Sequence, residues 1–279
     1  MVSSAAQPSP MKSPNSSPGP ACRDEGSWLA TLPPWPSHRT QPAMIEVKMD
    51  GPGKNALGTA MMTFLLEGLR AAAGEPVLLT GSGDAFSAGL HLKEVASLAG
   101  REEMAAFLRL LEECMATLYL YPGPTVAAIN GHAIAGGCVA ALCCDHRVMT
   151  TGARARIGLN ETALGVRFPP RILTIVRRRL PAFCEDRLLL GGDLVGPSEA
   201  VQLGLVDELA DDVMAAAQAR LSMLSAHPRD AYRLTKGDLR GLVAADLVPD
   251  DVEEKKLNEA LSTWSSGAVR DKLLKVLSK

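Results

Sequence analysis

Two stretches of the chain place small residues where a strand gives way to a helix. The first is Phe86-Ser87-Ala88-Gly89-Leu90-His91-Leu92. The second runs Ile129-Asn130-Gly131-His132-Ala133-Ile134-Ala135-Gly136-Gly137-Cys138. The first N–H groups of a helix have no partner inside it, and small residues let a substrate oxygen approach them closely. Two such groups converging would form an oxyanion hole. Taken alone, either stretch is better explained by tight packing of helix on sheet. A candidate base lies further on, in Ile157-Gly158-Leu159-Asn160-Glu161-Thr162-Ala163-Leu164-Gly165. Glu161 is surrounded by apolar Leu159, Ala163, Leu164 and Val166. Desolvation in such company raises a carboxyl pKa toward the range useful for proton transfer. The same neighbours also suit a glutamate on an ordinary loop.

Other chemistries fail on spacing or composition. Gly81-Ser82-Gly83 has Phe86 where a dinucleotide loop needs its third glycine, and no Gly-Lys-Ser/Thr follows. Ser87 has Ala85 where a nucleophile elbow needs glycine. His91, His132 and His146 form no metal-binding pair. Cysteine usage points to a reducing compartment without a structural metal: none of the six is spaced Cys-x-x-Cys, and Cys143 and Cys144 are adjacent. A net charge of −2 and 4% aromatic residues argue against nucleic acid as a partner. No apolar run reaches the roughly 18 residues of a membrane span.

Positioning these residues requires alternating elements. Strands are expected at Ile45 to Met49, Val77 to Thr80, Val126 to Ile129 and Arg147 to Thr150. Helices are expected at Thr59 to Ala73, Met104 to Leu120 and Leu173 to Leu180, with a helix buried on all sides from Ala135 to Cys144. This alternation defines an α/β class. From Asp211 onward the pattern is helical, with breaks near Pro228 and Pro249. The first 43 residues differ: they hold nine of the 19 prolines and show no apolar period, which predicts a disordered tail. They have no secretory core and too few arginines for a strong transit signal. A second reading starts the structured protein at Met44. Three regions result: a tail over 1–43, a core over 44–211 and a helical region over 212–279.

Together the motifs resemble the crotonase superfamily, also called the enoyl-CoA hydratase/isomerase family. Gly53-Lys54-Asn55-Ala56-Leu57 and the run from Gly196 to Asp207 belong to the same likeness, which spans most of Met44 to Lys279. The resemblance implies a spiral of ββα units followed by a helical trimerisation region. It implies an acyl-CoA thioester as partner, with CoA part of the substrate and no further cofactor or metal. The oxyanion donors would be the N–H groups of Ala88 and Gly136. The substrate would lie along Ala88, Gly89, Leu90, His91, Leu92, Gly136 and Asn160. Typical hydratases carry two glutamates. Here Val139 occupies the position of the first, and Glu161 that of the second. That pattern resembles the 3,2-enoyl-CoA isomerase branch and implies catalysis by Glu161 alone. Hydration, thioester hydrolysis and a non-catalytic acyl-CoA-binding scaffold are the alternatives.

Two features depart from the family pattern: His91 stands at a usual aspartate, and the loop Val166-Arg167-Phe168-Pro169-Pro170-Arg171 lacks a glycine-rich turn. Arg177-Arg178-Arg179 suits a solvated helix face or CoA phosphates. A homotrimer or dimer of trimers would cover Val213, Leu221, Leu224, Leu257, Leu261, Leu273, Leu274 and Leu277. The expected location is cytoplasmic, with mitochondrial as the alternative.

Overall fold

The computed structural model describes residues 43–98, 100–245 and 250–277. The tail expected over 1–43 falls outside them except for Ala43, as does the break expected near Pro249. The described residues contain three successive units in which two strands lead to a helix. The first has β2 (Val77–Gly81), β3 (Ala85–Ser87) and α2 (Leu92–Ser97). The second has β4 (Thr125–Ile129), β5 (His132–Ile134) and α4 (Gly136–Cys143). The third has β6 (His146–Thr150), β7 (Ile157–Gly158) and α5 (Glu161–Leu164). Leading strands join β1 (Ile45–Met49) and β9 (Glu208–Ala210) in a parallel five-stranded sheet, order β1-β2-β4-β6-β9. Second strands form a smaller sheet with β8 (Leu194–Val195), order β3-β5-β7-β8. This repetition is the expected spiral of ββα units.

Period-two alternation divides the large sheet between two cores. Val77, Leu79, Ala127 and Ile129 face the main core. Leu78, Val126, Ala128 and Val148 meet Val213, Ala217 and Leu221 of α9 (Val213–Ser225). The main core includes α1 (Thr59–Ala72) and α3 (Arg101–Tyr119), whose apolar faces are buried. Four of the expected strands and four of the expected helices agree with the structure within a few residues. The small sheet was not expected, because its strands have two or three residues and no readable period.

Downstream come α6 (Pro170–Arg179), α7 (Glu185–Leu189), α8 (Pro197–Gln202), α10 (Arg229–Ala245), α11 (Asp250–Trp264) and α12 (Gly267–Leu277). Their packing corrects the expectation that neighbouring subunits cover the C-terminal apolar residues. Val213, Leu221, Leu257, Leu261 and Leu273 are already buried within the chain, whereas Leu274 is exposed. The arginine run is corrected in part as well. Arg179 donates to Leu142 O and Cys144 O at 2.8 and 2.9 Å, and Arg240 donates to Cys143 O at 3.0 Å. The C-terminal carbonyls of buried α4 thereby gain cationic partners that also complement its dipole. Arg177 does sit on an exposed face, paired with Glu185 at 3.0 Å. Among the described residues no helix is long and apolar enough to cross a membrane.

Candidate active site

The entry to α4 is strained. Ala135, its N-cap, has φ 49° and ψ −117°, a region disfavoured for any residue with a Cβ. Such a conformation costs on the order of 1–3 kcal/mol and persists only when surrounding packing enforces it. Two glycines allow that packing. A Cβ on Gly89, where φ is +89°, would lie 2.6 Å from Ile134 O. One on Gly137 would lie 2.3 Å from Ser87 O. The Ser87–Leu90 turn and the start of α4 therefore meet backbone to backbone. Asn55 holds the segment leading into that turn, donating to Ser82 O and Ala85 O at 2.9 and 2.8 Å. Ser87 Oγ donates to Asn55 O at 2.8 Å, which gives this buried hydroxyl a structural partner.

Hydrogen-bond direction decides which N–H groups are free. Ala88 N–H donates to Lys54 O at 3.0 Å. It cannot also bind a substrate oxygen, so the expectation of Ala88 as an oxyanion donor is corrected. Leu57 forms a parallel bridge with Leu90: Leu57 N–H donates to Gly89 O at 2.7 Å, and Leu57 O accepts from His91 N–H at 3.1 Å. The intervening Leu90 N–H points away from that bridge and has no partner among the described residues. Gly136 N–H, at the start of α4, likewise has none. The two lie close: a Cβ on Gly89 would sit 3.3 Å from Gly136 N.

Leu90 and Gly136 line a cavity of about 280 Å³, together with Ala88, Leu92, Val139, Asn160 and Glu161. Gly89 and His91 do not line it, contrary to expectation. Gly89 serves the turn. His91 caps α2, its Nδ1 accepting Glu94 N–H at 3.1 Å. A side-chain acceptor is all that role needs, and histidine supplies it here.

Glu161 begins α5 and is 7% exposed. Its Oε2 is buried and has no hydrogen-bond partner among the described residues. Burial raises its pKa from 4.5 to about 7, against a smaller opposing effect of its own backbone N–H. Asn160 Oδ1, next to it, is also buried without a partner. Glu161 is the only carboxylate lining the cavity among the described residues. Other acids near the motifs are engaged elsewhere. Asp84 pairs with Lys54 at the surface at 3.0 Å, and Glu94 accepts Thr59 N–H at the start of α1 at 3.1 Å. Val139 brings an apolar surface to the cavity from the first turn of α4. The resulting site offers two free N–H donors facing an apolar chamber and one base poised near neutrality. It can remove a proton beside a carbonyl and stabilise the resulting enolate.

A family model described as enoyl-CoA hydratase/isomerase matches residues 39–262. The chain belongs to that family. It is 32% identical over 211 residues to human enoyl-CoA delta isomerase 1, mitochondrial, covering 72% of this chain and 69% of that protein. It is 36% identical over 193 residues to a putative enoyl-CoA hydratase of Thermus thermophilus, covering 66% and 74% respectively. The crystal structure of human mitochondrial delta3-delta2-enoyl-CoA isomerase superposes with a TM-score of 0.77 at 30% identity, covering 84% of this chain and 93% of that one. Relatives of comparable identity thus include both isomerase and hydratase.

Proposed function

We propose that the protein is an isomerase that converts 3-enoyl-CoA to trans-2-enoyl-CoA, a step that fatty-acid β-oxidation requires for unsaturated chains. The observation that carries this reading is that, among the described residues, Glu161 is the single carboxylate lining the cavity, which apolar Val139 also lines. Hydration must activate a water and deliver a proton to carbon, work that two carboxylates share. A double-bond shift moves one proton, which one carboxylate takes and returns. Glu161 removes the C2 proton, and the electron pair passes into the thioester as a dienolate. Leu90 and Gly136 N–H groups hold the oxygen that becomes negative. Glu161 then returns the proton to C4 as the C2–C3 double bond forms and the carbonyl is restored. Asn160, with its free Oδ1, orients Glu161 or the thioester. CoA enters as part of the substrate, and a proton shift of this kind draws on no metal or redox cofactor.

Hydratase is the second reading, favoured by the Thermus relative. A non-catalytic scaffold accounts poorly for a buried, unpartnered carboxylate, which folding alone would disfavour. Self-assembly into a trimer or dimer of trimers would cover exposed Phe183, Leu190 and Leu239, which are 75%, 68% and 73% accessible. The cysteines among the described residues, buried and unbridged, support a reducing compartment. Within that, the mitochondrial name of the human relative favours the mitochondrion over the cytoplasm. Glu161→Gln tests the central assignment. It keeps shape and removes the base, so turnover of 3-enoyl-CoA should fall by about two orders of magnitude or more, with acyl-CoA affinity little changed. Wild-type turnover in the variant would place the base elsewhere.

A further inference from the structure

We propose that Trp264 and Leu273 form a partition that sets the longest acyl chain the protein accepts; this rests on the reading of the Glu161 cavity as an acyl-CoA site. The two residues come from the end of α11 and from α12, and both are buried. Both line the cavity that holds Glu161. Both also line a second cavity of about 290 Å³, whose other walls include Val95, Leu98, Met104 and Arg270. Among the described residues they are the only lining residues the two cavities share.

The partition is fixed rather than loosely packed. Trp264 Nε1–H donates to Arg167 O at 2.9 Å, and Thr263 Oγ1 accepts Arg167 N–H at 3.1 Å. Arg167 lies between Val166 and Phe168, which line the Glu161 cavity themselves. The loop therefore holds the indole by one hydrogen bond and the end of α11 by a second. The first cavity, about 280 Å³, ends at the indole, so an acyl group of medium length fills it before meeting Trp264. Longer chains must displace Trp264 or enter the second cavity, and an ill-fitting methylene in an apolar pocket costs about tenfold or more in discrimination.

The test is titration calorimetry of the full chain with saturated hexanoyl-, octanoyl-, dodecanoyl- and hexadecanoyl-CoA, which bind without turning over. Affinity should hold or rise to octanoyl and fall about tenfold or more by hexadecanoyl. Trp264→Leu, which opens the partition while keeping an apolar filler, should raise the hexadecanoyl-to-hexanoyl affinity ratio by about tenfold. Leu273→Ala opens it from α12 and should move the ratio in the same direction. A wild type that binds hexadecanoyl-CoA as tightly as octanoyl-CoA overturns the proposal, whether or not the variants fold. An unchanged ratio in a folded variant overturns it too. Failure of the isomerase reading has a different signature: length-dependent binding without conjugation of 3-hexenoyl-CoA. Binding of none of these thioesters would overturn the acyl-CoA reading itself.

Discussion

Replacing Glu161 with glutamine should make the protein more stable as well as inactive, by an amount that depends on pH. In the folded chain burial holds the Glu161 pKa at about 7, against an ordinary 4.5. Between those values the native state keeps a proton that the unfolded chain has lost. Unfolding then releases a proton, so wild-type stability falls as pH rises through this window. Below pH 4.5 both states are protonated and nothing is lost; above about 7 the full penalty applies. That penalty is about 3 kcal/mol. Glutamine mimics the neutral acid and does not titrate. For a chain of this size each kcal/mol moves the melting temperature by about 2–4 °C. Glu161→Gln should therefore melt about 6–12 °C higher than wild type near pH 8, and only slightly higher near pH 5. Scanning calorimetry at both values measures this. A pH-independent difference, or a variant less stable near pH 8, would refute the claim that Glu161 is held desolvated. The same titration should appear in wild-type kcat/KM as an acid limb, with activity rising as Glu161 loses its proton near pH 7.

Gly89→Ala should impair catalysis through the backbone, because its Cβ would lie 2.6 Å from Ile134 O at a φ of +89°. Displacing the neighbouring Leu90 N–H should lower kcat by about 10²–10³-fold, the scale of one lost oxyanion donor. Circular dichroism confirms a folded variant, and near-normal kcat would remove Leu90 from the oxyanion pair. Sedimentation at micromolar concentration should give a trimer or a multiple of it; a monomer would contradict the self-assembly reading.

The parts of this account that a sequence can carry are those with long apolar patterns. The parallel strands β2 and β4 are largely apolar five-residue runs, β1 alternates apolar with charged residues, and α4 has no polar face, so each could be read directly. Glu161 was legible through the motif around it rather than through periodicity. The free N–H of this turn lies two residues beyond the expected Ala88 for a physical reason. Ala88 and Leu90 are alike as small-motif neighbours, and only the bridge to Leu57 and the bond to Lys54 O determine which N–H stays free. Short pairings such as Ala133 with Ile157 leave no period to read. The C-terminal leucines looked like an interface because an amphipathic helix does not state what covers it. Here α11 and α12 fold back so that Trp264 and Leu273 close the cavity of their own chain.

The claim that one carboxylate suffices is tested most directly in the unmodified protein. Purified enzyme is given 3-hexenoyl-CoA and, separately, trans-2-hexenoyl-CoA. Conjugation of the first and water addition to the second are followed as separate initial rates. With Glu161 as the base and apolar Val139 beside it in the lining of the cavity, conjugation should exceed hydration by about two orders of magnitude, the scale of one missing acid–base group. Hydration at a rate equal to or above conjugation would contradict the account and put a hydratase in its place.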